Sequence, residues 1–308
     1  MQDSKKTEKT NSNLKYWLEI PGFIIVLLVS LKVLSYAMDP IRLDMPGAVA
    51  DKDMYVASAL TEKENSIDVI MAGDSEAMIF MSSKILWDEA GINSYGCSQP
   101  AQRICETYLF LEDILEKQKP EVVVLETNVL THDTTIKLEA LMTTNALIDD
   151  QLPILRYHSQ WRMMWGLNPE REYTAFRGFD PRTDLAPYSG EEYMFPTEEK
   201  VQFNQITQIY IDKIVALCEE KDVKLLFVSS PSAISMNYQK HNAIQAYADE
   251  HDIPYLDFNL MRDEIGLDWS TDTMDGGDHI NYNGTVKITN YMMKYLKENY
   301  DLKDWREE

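Results

Sequence analysis

The sequence predicts an α/β protein, a three-layer sandwich with a mostly parallel sheet, preceded by one transmembrane helix. Short apolar runs alternate with longer periodic stretches from Asp39 to Glu308, and one uninterrupted apolar segment lies near the amino terminus. Strand–helix alternation of this kind is typical of parallel sheets covered by helices on both faces. Hydrophobic residues make up 44% of the 308 residues, which is enough to build a sizeable core.

The amino-terminal apolar segment predicts a membrane anchor. Residues 20–38, IPGFIIVLLVSLKVLSYAM, are about long enough to cross a hydrocarbon core of roughly 30 Å. The preceding residues 1–16 carry four lysines, which predict a cytoplasmic tail. We therefore expect a signal anchor at 17–38 and an extracytoplasmic domain at 39–308. A cleaved signal peptide is the alternative, disfavoured because the run is long and SYAMDP is a poor cleavage site.

The alternating region divides into predicted strands and helices. Strands are expected at residues 66–73, 92–96, 121–126, 224–230 and 254–258. Helices are expected at residues 101–118, 201–221, 242–252 and 283–300. The order of the strands in the sheet is not readable from these patterns.

Residues 140–200 depart from the alternation and predict an aromatic-rich insertion. Its rings are Tyr157, Trp161, Trp165, Tyr173, Phe176, Phe179, Tyr188, Tyr193 and Phe195. Long irregular insertions often form lids or binding surfaces, and aromatic faces stack on sugars. The alternative is that the rings only anchor a long loop onto the core.

Charge and cysteine content exclude some classes of function. The formal net charge of -22, without a lysine or arginine cluster outside the first residues, argues against nucleic-acid binding. Cys97, Cys105 and Cys218 lack the spacing of a metal site or a disulfide framework, which favours buried thiols. Pairing of Cys97 with Cys105 stays open.

Two short stretches indicate a serine–histidine site. The run VIMAGDSEAM, residues 69–78, breaks after the first predicted strand at Gly73-Asp74-Ser75. Near the other end, DTMDGGDHINYNG (272–284) places His279 just before the last predicted helix. A histidine can take a proton from a serine if a carboxylate holds its ring in the right tautomer.

These stretches, together with Gly96 after the second predicted strand and Asn128 after the third, resemble the four blocks of the SGNH/GDSL hydrolase superfamily. The resemblance covers residues 66 to 300 in the right order. It implies that Ser75 is the nucleophile and His279 the general base. It also implies an oxyanion hole made by the Ser75 N–H, the Gly96 N–H and the Asn128 side chain, with Asp74 beside them.

The sequence departs from that family at three points. Glu76 follows Ser75 where the family has leucine, and the third block reads ETNVL rather than Gly-x-Asn-Asp, which draws attention to Glu126. Glycine occupies position 276, where the family carries an aspartate. The orienting role therefore passes to Asp275 or Asp278, and we favour Asp275 because a Gly-Gly loop can fold its side chain back towards the ring.

Within the superfamily, the anchored arrangement looks most like the proteins of teichoic acid D-alanylation and exopolysaccharide O-acetylation. The resemblance implies an O-acyltransferase or esterase that acts on a cell-envelope glycopolymer, beside a membrane-bound O-acyltransferase partner. We expect no cofactor and no metal.

Two alternatives stay open. One is a catalytically inactive glycan-binding or scaffold protein. The other is a metal-dependent phosphoesterase with Asp74, Asp275, Asp278 and His279 as ligands.

Overall fold

A computed structural model describes residues 3–37, 39, 58–157, 176–179 and 181–307. Within these ranges the chain forms one five-stranded sheet. Its strands are β1 (Val69–Gly73), β2 (Ser94–Ser98), β3 (Val122–Glu126), β4 (Lys224–Ser229) and β5 (Tyr255–Asp257). All neighbouring strands pair in parallel, in the order β2-β1-β3-β4-β5. The predicted α/β class and the parallel sheet are confirmed.

Helices precede and cover this sheet. They are α1 (Asp3–Ala37), α2 (Ser75–Ile79), α3 (Ser83–Ala90), α4 (Ile104–Lys117), α5 (Ile136–Gln151), α6 (Pro153–Tyr157), α7 (Gln205–Lys221), α8 (Tyr238–Glu250), α9 (Arg262–Ile265) and α10 (Tyr282–Asn299). Two short 3-10 helices lie at Thr127–Leu130 and Trp305–Glu307. The four helices predicted in the alternating region correspond to α4, α7, α8 and α10.

The core lies in two layers because successive strand residues point to opposite faces of the sheet. On one face Ile70, Val123 and Phe227 pack with residues of α4, α7 and α8. On the other face Val124 and Leu226 pack with residues of α2, α3 and α10. The strands are buried on both sides, as expected for an all-parallel sheet.

The strand order creates a binding crevice at one point of the sheet. The chain passes from β1 to β2 on one side and then returns to place β3 on the other side of β1. Ligands of open α/β sheets bind outside the carboxyl ends of the strands where the order reverses in this way. Ser75 follows β1 and Asn128 follows β3, so both lie at this crevice.

Helix α1 contains one stretch suited to a membrane span. Residues Glu19–Ala37 have a mean hydropathy of 2.1, and nearly all of their side chains are exposed. This stretch has no extended polar face, which is typical of a segment that needs an apolar environment.

The second strand and the insertion differ from the predictions. Strand β2 begins at Ser94 rather than residue 92 and continues to Ser98, because Cys97 and Ser98 still pair with Ala72 and Gly73. Regular helix α5 occupies the first part of the predicted insertion, whereas residues 181–204 are irregular.

Trp161, Trp165 and Tyr173 lie outside the described residues. The three cysteines are buried and unpaired, so the expectation of buried thiols is confirmed.

Candidate active site

The turn after β1 brings Ser75 to the crevice, and Gly73 makes this tight turn possible. Gly73 has φ +154°, and a Cβ there would lie 2.7 Å from the Ala77 Cβ and 3.0 Å from the Glu126 Cβ. A larger residue would therefore push α2 away from β3. The close approach of helix and strand leaves the Ser75 side chain partly exposed at the crevice.

Asp74 organises this turn as a buried acceptor. Its side chain is the N-cap of α2 and accepts the Glu76 N–H at 3.0 Å. It also accepts the Asn128 side-chain N–H at 2.9 Å, and its Oδ2 lies 2.6 Å from the His132 Nε2. Asp74 is 1% exposed, and a carboxylate cannot donate to an oxyanion. The structure thus makes Asp74 a positioning residue rather than part of the substrate-binding group expected from the sequence.

His279 meets Ser75 across 204 residues of sequence. The Ser75 Oγ lies 2.9 Å from the His279 Nε2. The Asp275 Oδ2 lies 2.7 Å from the other ring nitrogen, Nδ1. A carboxylate accepts and does not donate, so Nδ1 carries the proton and Nε2 offers its lone pair to the serine hydroxyl. This is the arrangement that a general base needs in order to activate a serine.

The loop before α10 holds the histidine in place. Gly276 and Gly277 have φ values of +80° and +97°, which allow the chain to fold Asp275 back onto His279. The Gly276 N–H donates to the Ala186 carbonyl at 2.8 Å. Asn281 caps α10 by accepting the N–H groups of Asn283 and Gly284.

Asp278 has a different role from Asp275. Its Oδ2 is 3.7 Å from the His279 Nδ1, beyond hydrogen-bond range, whereas its Oδ1 accepts the Ser235 hydroxyl at 2.7 Å. Asp278 therefore ties the histidine loop to the segment after β4. Ser235 was not identified from the sequence, and no local motif marks it.

Gly96 does not lie where an oxyanion donor is needed. It pairs with Met71 inside the sheet, two residues before the end of β2, which corresponds to roughly 6 to 7 Å along the strand. Its N–H donates to the Arg177 carbonyl at 2.9 Å. The sequence interpretation failed here because it ended the strand at position 96. Position 96 favours glycine because the backbone of Gly178 packs against it, and a Cβ at position 96 would lie 3.0 Å from the Gly178 carbonyl oxygen.

Asn128 lies at the crevice as expected. Its backbone N–H donates to the Glu126 Oε2 at 2.9 Å, which fixes the turn after β3. Its side-chain nitrogen carries two hydrogens, and one of them is used by Asp74. The second hydrogen is available to a ligand, as is the N–H of Ser75, since the first residue of a helix has no intrahelical acceptor.

Two buried carboxyls lie beneath the site. Glu76 is 2% exposed, and neither of its carboxyl oxygens has a hydrogen-bond partner among the described residues. Burial, reinforced by Glu126, Asp74 and Asp278, raises the pKa of Glu76 well above its ordinary value. Burial also raises the pKa of Glu126, but Glu126 accepts the N–H groups of Asn128 and Ser230, which favour its charged form. We therefore assign the proton to Glu76.

A polar network continues from Asp74 away from the serine. The Arg103 Nη1 lies 2.9 Å from the His132 Nδ1 and 3.5 Å from the buried Glu139 Oε2. Arginine can only donate, so the His132 Nδ1 is an acceptor and its Nε2–H donates to Asp74. His132 and Arg103 were missed in the sequence, because nothing in their local pattern indicates that they meet.

One set of side chains among the described residues could hold a metal ion. Ligand atoms of Glu76, Asp278 and His279 all lie within 4.8 Å of one another. A metal at this position would compete for a His279 nitrogen that already faces Ser75 or Asp275. Asp74, expected as a ligand under the phosphoesterase alternative, accepts three hydrogen bonds elsewhere.

No protein-family model matches the chain, and no curated protein matches it. Among solved structures, the chain is similar to a proposed acylhydrolase from Bacteroides fragilis NCTC 9343, at 13% sequence identity and a TM-score of 0.40. The match covers 79% of this chain and 94% of that one. A TM-score of this size carries no inference about activity.

Proposed function

We propose that this protein is a membrane-anchored serine esterase or O-acyltransferase that works through an acyl-Ser75 intermediate. The observation that carries the proposal is the continuous contact from the Asp275 carboxylate through His279 to the Ser75 hydroxyl. Either of the two contacts alone is common in proteins. The two together, at the carboxyl edge of a parallel sheet, match what nucleophilic acyl transfer requires.

The first half of the reaction forms the acyl-enzyme. The Ser75 Oγ attacks the carbonyl carbon of the acyl donor while its proton passes to the His279 Nε2. The carbonyl oxygen becomes an oxyanion, stabilised by the Ser75 N–H and the second side-chain hydrogen of Asn128. The tetrahedral intermediate then expels the alcohol of the donor, which takes the proton from His279. Asp275 stabilises the imidazolium that exists between these two transfers.

The second half reverses the roles. A hydroxyl of the acceptor gives its proton to the His279 Nε2 and attacks the acyl carbon. When the intermediate collapses, the Ser75 Oγ leaves and regains that proton. The acceptor is water in an esterase and a sugar or polyol hydroxyl in a transferase. Which one reacts depends on how well the bound acceptor excludes water.

We also propose that the acceptor is a cell-envelope polymer and that the catalytic domain lies outside the cytoplasm. Support for a cell-envelope polysaccharide or teichoic acid, and for a membrane-bound O-acyltransferase partner, comes from the sequence resemblance and from the apolar residues Glu19–Ala37. The lysine-rich residues 1–16 favour a cytoplasmic amino terminus, which puts the catalytic domain outside the cytoplasm.

The test is covalent labelling of the full-length protein in detergent. Intact-protein mass spectrometry after exposure to a fluorophosphonate should show one adduct, absent in Ser75→Ala and strongly slowed in His279→Ala. Ser83→Ala is a matched control, since Ser83 is a buried serine outside this contact chain.

Two outcomes would redirect the proposal. A folded protein that takes no label in any form would favour a scaffold or glycan-binding role. If labelling succeeds, incubating a p-nitrophenyl ester with a polyol and measuring acylated polyol against free acid separates transferase from esterase.

A further inference from the structure

Helix α5 and the adjoining α6 expose an unusual amount of apolar surface. Six large hydrophobic side chains there are between 40% and 57% exposed. They are Ile136, Leu138, Leu141, Leu147, Ile148 and Leu155, and we call them the α5–α6 apolar surface. Outside α1, five other large hydrophobic side chains of the described residues are exposed, and they are scattered in sequence from Leu185 to Leu260.

Helix α5 carries large apolar side chains on the face that points away from the domain. The residues that α5 buries against the domain are polar, Glu139 and Thr143. Leu138, Leu141 and Ile148, spaced by three and seven residues, lie together on the opposite face of the helix. A helix that covers a soluble core normally buries such a stripe, so this one suits an apolar environment outside the domain.

The span α1 lies directly beside this surface. The Ser35 Oγ accepts the Ile154 N–H at 3.1 Å. The Lys32 Nζ lies 3.5 Å from the Gln151 Oε1 at the end of α5. Both contacts are made by the carboxyl-terminal part of the apolar stretch Glu19–Ala37, where a span leaves the hydrocarbon. The end of α5 and the start of α6 therefore lie against the exposed apolar stretch of α1, and the α5–α6 apolar surface extends from that point along α5.

We propose that the α5–α6 apolar surface rests in the interfacial layer of the lipid bilayer, on the side where α1 emerges. This inference rests on α1 spanning a membrane, as in the proposed function. Apolar side chains that bind at this layer insert about 5 to 10 Å into the headgroup and acyl boundary. Lipid is favoured over a protein partner as the occupant because the surface joins a segment whose own surroundings are hydrocarbon.

Contact of the α5–α6 apolar surface with lipid would also fix the position of the Ser75 turn relative to the membrane. Glu139, on the inner face of α5, contacts Arg103, which contacts His132, which donates to Asp74 beside the nucleophile. This chain of side chains connects the membrane-seated helix with the Ser75 turn. The site would then operate at a fixed, short distance from the lipid, which suits substrates that are themselves attached to the membrane.

The experiment measures the depth of fluorescent probes in the full-length protein reconstituted in phosphatidylcholine vesicles. Single cysteines replace Leu28 in the middle of the span, Leu138, Leu141 and Ile148 on the surface, and Leu260 as an exposed control after β5. The native thiols are buried, so labelling with bimane is selective. Some vesicles contain lipid brominated near the headgroup, and others contain lipid brominated deep in the acyl chain.

The proposal predicts that shallow bromines quench the probes at 141 and 148, deep bromines quench the probe at 28, and neither quenches the probe at 260. The double variant Leu141→Glu with Ile148→Glu, probed at position 138, should lose the shallow quenching while position 28 keeps the deep quenching.

Three results overturn the inference, each in a distinguishable way. Quenching at 28 without quenching at 141 and 148 means that the domain stands clear of the bilayer. Probes at 141 and 148 shielded from both brominated lipid and aqueous iodide mean that a protein partner or a second copy covers the surface. Absence of quenching at 28 removes the membrane anchor itself, and the serine chemistry is then judged separately by labelling.

Discussion

Asp275 approaches His279 with both of its carboxylate oxygens. Oδ1 accepts the His279 backbone N–H at 2.7 Å, and Oδ2 lies 2.7 Å from Nδ1 of the ring. The backbone N–H of His279 thus holds the Asp275 carboxylate, and the same carboxylate orients the His279 ring. This two-point contact fixes the ring plane as well as its tautomer.

Replacing Asp275 should therefore cost much more activity than replacing Asp278. Asp275→Asn favours the wrong ring tautomer, and we expect kcat/KM for an activated ester to fall about 10³- to 10⁴-fold. Asp278→Asn keeps the 2.7 Å contact between Asp275 and the His279 Nδ1, so kcat/KM should fall less than about tenfold. The measurement is steady-state hydrolysis of p-nitrophenyl acetate by the two purified variants. Equal losses would show that the carboxylate assignment is wrong.

Asn128 and Gly96 should separate catalysis from packing. Asn128→Ala removes the side-chain donor that the proposed mechanism assigns to the oxyanion, so kcat should fall about 10²-fold or more with little change in KM. Gly96→Ala places a methyl group 3.0 Å from the Gly178 carbonyl oxygen, so the cost should appear in the melting temperature. Kinetics and thermal melts of both variants are the check. A kcat loss in Gly96→Ala at unchanged stability would restore the Gly96 amide to the oxyanion hole.

The buried carboxyl of Glu76 should make stability depend on pH. Because its pKa is raised in the folded state, its favourable contribution is fully present below the ordinary value of 4.5 and is lost as pH rises through the raised value. Glu76→Gln has no such loss. We expect the variant to melt at a higher temperature than the wild type at pH 9, with the difference shrinking towards pH 5.

Thermal melts of the full-length protein in detergent at the two pH values test this expectation. Glu76→Ala removes the same charge but leaves a cavity, so it should follow the same pH trend at lower overall stability. A difference between Gln variant and wild type that does not change with pH would mean that Glu76 is charged in the folded protein.

Chelation should leave esterase activity intact, because the proton transfers between Ser75 and His279 need no metal. Incubation with EDTA followed by a p-nitrophenyl acetate assay tests this directly. Added Zn²⁺ should inhibit, since the Glu76, Asp278 and His279 ligand atoms converge within 4.8 Å, and EDTA should reverse the inhibition. Activity that disappears with EDTA and returns with a divalent metal would support the phosphoesterase alternative instead.

Much of the fold could be predicted because its signals are local. Apolar runs such as EVVVLE and KLLFVSS became β3 and β4 within a residue of the expected bounds, since strands buried on both faces are apolar throughout. The end of β2 could not be predicted, because Cys97 and Ser98 extend the strand only by pairing with β1. The exposure of the α5 leucines was missed for a related reason, since the position of α5 beside α1 is set by tertiary contacts.

The sequence by itself determined the alternation of strands and helices, the apolar amino-terminal segment and the two residues, Ser75 and His279, whose chemistry indicates an activated serine. These follow from residue type and short-range spacing, which every local segment carries. Only the tertiary structure decided that Asp275 contacts Nδ1, that Gly96 lies inside a strand, and that Glu76 and His132 border the site. The Asp275 contact depends on the conformation of the glycine loop between the two residues. The other relationships are set by strand pairing between distant segments, and Ser75 and His279 themselves lie 204 residues apart.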